Sequence, residues 1–235
     1  MPEGFLIFLD DNAKQFMFLN NGIEFPKIDA VVFNPKNLEQ FLFSYFESGY
    51  VSDGDWSDLD PELLLEGISE STEEANIDRK KNGIPPLKII GWVQKPIYDK
   101  NSKTAYWAIK VTDTNSGDIV NAIALKLGRR GFNKFVWIGE PDKFNPSESP
   151  LNIAIDNHNL QQGFRYADYS SGDKIAAVGL ASLVAVTAGS KSGKGVVAGI
   201  LATLLIFAKK FWFLIFLPFV FVWKWVKGLF SRGQD

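Results

Sequence analysis

The chain has 235 residues, a formal charge of −2 and no cysteine, which allows one sizeable domain with an appendage and excludes disulfides, thiolate nucleophiles and sulfur-ligated metal centres. The charge is uneven: residues 174–235 hold eight Lys/Arg and one acid, which leaves 17 basic and 26 acidic residues in 1–173. An acidic body argues against nucleic-acid binding, which needs cations to displace counterions from phosphates, while the basic tail suits anionic lipid headgroups.

In chain order, the first twenty residues read as a β-hairpin, with strands at Phe5–Leu9 and Phe16–Leu19 around a polar turn at 10–14. The start has only five apolar residues before two aspartates and no basic region, so it does not read as a secretory signal peptide. A third extended segment is expected at Ile28–Phe33 and a short amphipathic helix around Leu38–Phe46. Asp60-Pro61 reads as an N-cap with proline in the first turn of a helix from Glu62 to Asn82, stopped by Gly83 and Pro85-Pro86. Four strands follow, at Leu87–Gln94, Thr104–Thr112, Asp118–Lys126 and Asn133–Ile138, with connections short enough for an antiparallel meander. A helix between Pro150 and Gln162 completes an α+β body: an antiparallel β-sheet with flanking helices.

The composition changes near Gly172, so residues 1–172 are expected to be the folded domain and 173–235 a hydrophobic, basic membrane anchor ending in transmembrane helices. Three apolar blocks make up this tail: Ile175–Gly189, Gly195–Ala208 and Phe211–Val226. Each is shorter than the roughly 20 residues that cross a bilayer upright. Lys191, Lys194, Lys209 and Lys210 can snorkel between the blocks, and Trp212, Trp223 and Trp225 flank the last as interfacial aromatics do. Gly179, Ala181, Ser182, Ala185, Ala188 and Gly189 form a small-residue pattern of the kind that packs helices together, so self-association through the tail is expected.

Candidate chemistry begins at residues 49–66, where Asp53, Asp55, Asp58 and Asp60 crowd together. Such oxygen-rich runs can chelate calcium, but glycine and the closing glutamate are absent from the positions an EF-hand loop requires, and a turn leading into a capped helix explains the aspartates as well. Residues 189–195 resemble a phosphate loop superficially; the first glycine and the Ser/Thr after the lysine are missing, since Ala188 and Gly195 stand there. The one histidine, His158, has no neighbouring nucleophile pattern. Asn121 shares a strand face with Ile119, Ile123 and Leu125 and must find hydrogen-bond partners, as a structural bridge or as a ligand contact. Arg129 and Arg130 lie in a turn bracketed by glycines, which either presents a guanidinium to an anion or pairs with acidic side chains.

Several ordered motifs carry a resemblance: Gly49-Tyr-Val-Ser-Asp-Gly-Asp-Trp56, Leu63-Leu-Leu-Glu66, Glu74-Ala-Asn-Ile-Asp-Arg79, Gly91-Trp-Val-Gln-Lys-Pro-Ile-Tyr-Asp99, Trp107-Ala108, Val120-Asn121, Leu127-Gly-Arg-Arg-Gly131 and Gly163-Phe-Arg-Tyr-Ala-Asp168. Over about residues 45–185 the chain resembles the bacterial membrane-anchored proteins grouped as domain of unknown function 2167. The resemblance implies a bacterial envelope protein and no particular reaction. Members of that family usually begin with a signal peptide and a longer leading segment, from which this chain departs. Its location is accordingly expected at the bacterial inner membrane, with the folded domain on the cytoplasmic side as the sequence is written, or outside if the gene start is truncated.

Together these readings favour a membrane-anchored binding or scaffold module without catalytic residues, metal or cofactor. Its partners are expected to be the lipid bilayer and a second copy through the tail, with no nucleic acid. The alternative is a membrane-anchored enzyme with an Asp/Arg site. The candidate binding residues are Asp53, Asp55, Asn76, Arg79, Asn121 and Arg129.

Overall fold

The computed structural model describes residues 4–21, 25, 27–113, 117–146 and 150–190, all within the first of two compact units, Met1–Val197. The elements are β1 (Leu6–Leu9), α1 (Asp10–Asn21), β2 (Ala30–Phe33), β3 (Gln40–Phe46), α2 (Pro61–Lys81), β4 (Leu87–Asp99), β5 (Thr104–Asp113), β6 (Gly117–Leu127), β7 (Phe132–Gly139), α3 (Pro150–Asn157) and α4 (Leu180–Thr187). The strands form one antiparallel sheet in the order β1-β2-β3-β7-β6-β5-β4. The fold is therefore α+β, with helices flanking a seven-stranded sheet, and β1 and β4 are its edges.

The period-two alternation of β5, β6 and β7 divides their side chains between two cores. Trp107, Ile109, Ile123, Leu125 and Phe132 join Leu64 and Ile68 of α2 and Leu180, Leu183 and Val184 of α4. Ala108, Val120, Ala122, Phe135 and Trp137 meet Leu151 and Ile155 of α3. A third cluster joins Ala13 and Met17 of α1 to Ile28, Val31 and Leu42.

The meander is as expected, and β4 runs past the expected end at Gln94, through Pro96, to Asp99. Proline lacks a ladder donor, which an edge strand tolerates. Helix α2 starts on its Asp60 cap, whose carboxylate accepts from the backbone of Glu62 (2.9 Å) and Leu63 (3.1 Å). Two elements differ from expectation. The second arm of the N-terminal hairpin is α1: Asp10 and Asp11 stand at its positive end, and Ala13 and Met17, four residues apart, are 0% and 2% exposed. The helix expected at Leu38–Phe46 is β3, whose alternation puts Leu42 and Ser44 inside and which pairs with β7 along seven residues. Helix α3 is also shorter than expected, ending at Asn157.

The largest correction concerns Ile175–Gly189, expected in the membrane tail. Tyr50 and Ile175 form a parallel bridge through Tyr50 N–H to Lys174 O and Ala176 N–H to Tyr50 O, both 2.8 Å. Helix α4 then enters the core, with Leu180, Ala181, Ser182, Val184 and Ala185 all at 0% exposure. A helix apolar on nearly every side is a buried helix, and eight residues span only about 12 Å. The fold of the body thus extends through Ser190, beyond the division expected at 172/173. The small residues Ala181, Ser182 and Ala185 are buried in the chain's own core instead of facing a second copy. Among the described residues no helix is long and apolar enough to cross a membrane. The blocks Gly195–Ala208 and Phe211–Val226, with the transmembrane helices expected there, lie outside the described residues.

Candidate functional site

The segment after β3 carries Tyr50 and Val51 inward and then turns sharply before α2. Val51 is fully buried, and this fixes Asp53 between the β4–β5 turn and the segment at 163–170. Asp53 Oδ2 accepts from Tyr98 Oη (2.6 Å) and Lys103 Nζ (3.0 Å), and Oδ1 accepts from Tyr166 Oη (3.2 Å). Tyr166 Oη also donates to Val51 O at 2.9 Å. Around this centre Tyr50 stacks on Tyr166 and meets Tyr169 at a tilt, and Trp56 packs against Tyr98.

Lys103 reaches the site from a left-handed backbone conformation, φ 54°, which is unfavourable for a residue with a Cβ. Its ammonium lies 4.9 Å from the Tyr166 ring centre and 6.0 Å from that of Tyr98, besides its contact with Asp53. The cation is thus held by two aromatic faces and one carboxylate.

Burial works to raise the Asp53 pKa, but the hydrogen bonds from Tyr98 and Lys103 outweigh it and leave the carboxyl below its ordinary value. Burial first, then the bonds to Asp53, push the Tyr98 phenol upward; burial and bonds to Tyr50 and Asp53 do the same for Tyr166. Asp53 therefore stays ionised and both phenols stay protonated at neutral pH. A general acid or base works best with a pKa near the working pH, and these three groups are driven away from it.

The other sequence candidates serve different places. Asp55 Oδ1 accepts from Ala181 N–H (3.2 Å), so it caps α4 from a distant part of the chain. Asn76, 3% exposed, makes a two-point contact with the Leu87 backbone: its Nδ2 donates to Leu87 O (2.7 Å) and its Oδ1 accepts from Leu87 N–H (2.8 Å). Arg79 Nε donates to Pro85 O (2.7 Å) and closes the turn from α2 to β4. Arg129 grips Asp173 with two bonds of 2.7 and 2.9 Å, which holds the Asp173 carboxyl down at about 2. Asn121 sits between Ile109 and Ile138 in the sheet, and its buried Oδ1 has no hydrogen-bond partner among the described residues.

Asp53 is thus the candidate around which other side chains gather, while Asp55 joins the loop before α2 to α4, Asn76 and Arg79 both join the end of α2 to the start of β4, and Arg129 joins the turn after β6 to Asp173. The sequence reading missed Tyr98, Lys103, Tyr166 and Asp173. Tyr98 and Tyr166 lay inside quoted motifs, and nothing local marked Lys103, whose role depends on a β4–β5 turn that places it beside residues about fifty positions earlier. Among the described residues no group of three or more His, Asp or Glu side chains is placed to hold a metal ion.

The model of the family described as protein of unknown function (DUF2167) matches residues 1–220. The chain belongs to this family. The match is wider than the motifs at 45–185, and it takes in the N-terminal β1–α1 unit and α4 of this DUF2167 chain. No curated protein matches it. The solution structure of cyanobacterial PsbP (CyanoP) from Synechocystis sp. PCC 6803 is similar at 12% identity, over 66% of the DUF2167 chain and 79% of that chain, with a TM-score of 0.37. At that likeness no function passes from one to the other.

Proposed function

We propose that this protein is a non-catalytic binding module held at the bacterial inner membrane by its C-terminal tail. The observation that carries the non-catalytic reading is the fate of the polar candidates. Asp55, the Asn76/Arg79 pair and Arg129 bond to the chain itself at three separate places, whereas an Asp/Arg active site needs the aspartates and arginines together on one pocket. The tether reading is supported by the sequence beyond Ser190, where two apolar blocks alternate with lysines and interfacial tryptophans. The partner side of the module is the aromatic end around Tyr50, Tyr98, Tyr166 and Tyr169. Tyr169 is 39% exposed there, and aromatic side chains with a polar tip are favoured contact residues.

Fractionation tests the reading. The full chain is expected to float with membranes and resist alkaline extraction, while a chain ending at Ser190 stays in the supernatant. Equal partitioning of the two would remove the tether. Saturable turnover of a substrate by the chain, abolished in Arg129→Lys without loss of folding, would replace the binding module by the enzyme.

A further inference from the structure

The domain has two distinguishable ends. At one end α4 finishes against the end of α2: Ala188 and Gly189 line an open groove of about 480 Å³ together with Arg79, Asn82, Ile84 and Leu87. Ser190 N–H donates to Ala185 O at 3.0 Å, which closes the last turn of α4 beside this groove. The sequence continues from there with Lys191 and Lys194 and then the apolar block Gly195–Ala208.

The same end carries the last turn of α2, which is basic: Arg79, Lys80 and Lys81. Arg79 holds Pro85 and Lys81 touches Asp78 at 3.1 Å, but both lysines are exposed to solvent. Ile77, 58% exposed, lies three and four residues before them and so on the same helix face. An exposed isoleucine beside two lysines is the composition of an interfacial helix surface. Asp78 and Glu74 also stand on the groove, so the attraction comes from Lys80 and Lys81 of the last turn, not from α2 as a whole.

At the other end lies the Asp53 cluster. Strand β4 connects the two, from Leu87 on the groove to Tyr98 and Asp99 beside the cluster; with its three register shifts it runs alongside the ten residues of β5, a length of about 30 Å. We propose that the α2–α4 end rests on a bilayer containing anionic lipid, with Lys80 and Lys81 against phosphate headgroups and Ile77 at the interface. The Asp53 cluster is thereby turned away from the membrane. This rests on the tether reading above and adds an orientation to it.

The chain's lack of cysteine makes the test direct. Asn82→Cys and Lys100→Cys are labelled separately with a fluorophore in the full chain and reconstituted into phosphatidylcholine vesicles with or without one third phosphatidylglycerol, carrying a headgroup quencher. Quenching at position 82 is expected to exceed that at position 100 several-fold with phosphatidylglycerol, and to fall with added salt and in Lys80→Glu/Lys81→Glu. Equal quenching at the two positions, or a difference indifferent to lipid charge and to charge reversal, overturns the orientation while leaving the tether intact. Shielding of position 82 in detergent, with a doubled particle mass, would assign the face to a second copy and likewise overturn it. Failure of the full chain to float with either vesicle overturns the tether and the orientation together.

Discussion

The carboxylate of Asp55 lies directly over the Cα of Gly179, so close that a Cβ at Gly179 would collide with both of its oxygens. The backbone of Gly179 is extended (φ −81°, ψ −179°), a conformation open to any residue, so the demand for glycine is steric. Through this contact a loop before α2 caps a helix more than a hundred residues later, and it makes α4 part of the domain.

Gly179→Ala is therefore expected to destabilise the domain by about 1–3 kcal/mol, the usual cost of forcing an extra carbon into a packed site. Asp55→Ala alone should cost about 1 kcal/mol as a lost helix cap. The double variant should be more stable than the sum of the two predicts, because removing the carboxylate makes room for the methyl. Chemical denaturation of the four proteins checks this, and strict additivity would mean that the two side chains do not compete for space.

A chain ending at Gly172 loses Leu180, Leu183, Val184 and Ala185 from the main core. Each large apolar side chain contributes about 1.5–3 kcal/mol on burial, which together rivals the 5–15 kcal/mol of a typical domain. The 1–172 fragment is expected to lack a cooperative thermal transition and to bind a hydrophobic dye, whereas 1–190 melts cooperatively. Equal melting of the two fragments would show α4 to be dispensable.

Asn76→Ala leaves the Leu87 N–H and C=O without their partner inside the structure. At about 1–3 kcal/mol for each stranded polar group, a loss of about 2–4 kcal/mol is expected, with Asn76→Asp also destabilising because it removes the donor. A change below about 0.5 kcal/mol in denaturant unfolding, the size of an ordinary surface effect, would assign Asn76 a role other than tying α2 to β4.

Stability should depend on pH in two separate windows. Burial, then the nearby charge of Lys126, lowers the His158 pKa from 6.5, and its ring packs edge-on against Phe135. As pH falls through 6.5 the unfolded chain binds the proton first, so stability declines from there downward. His158→Gln should flatten the melting temperature between about pH 6.5 and 5, the range just below the ordinary histidine pKa. The Arg129–Asp173 contribution is fully present above 3.8 and is lost as pH falls toward about 2, so Asp173→Asn should flatten only that lower limb. A profile of the His158 variant parallel to that of the natural chain would remove His158 from this account.

The sequence by itself determined the elements whose signals are local. Helix α2 follows from Asp60-Pro61 at its start and Gly83 at its end, and the β4–β7 meander follows from alternating apolar residues between short polar turns. The acidic body and basic, apolar tail were equally plain from composition. Tertiary structure decided the rest, because the competing readings had similar local propensity. Phe16–Leu19 became helical because Ala13 and Met17 bury together, and Leu38–Phe46 became a strand because β2 and β7 were there to pair with it. An apolar stretch such as 175–189 carries no local sign of whether protein or lipid will cover it; the seat formed by Tyr50, Ser52 and Asp55 decided for protein. The Asp53 cluster was hidden for the same reason: Tyr98, Lys103 and Tyr166 meet Asp53 only once the sheet has brought distant turns to the same end.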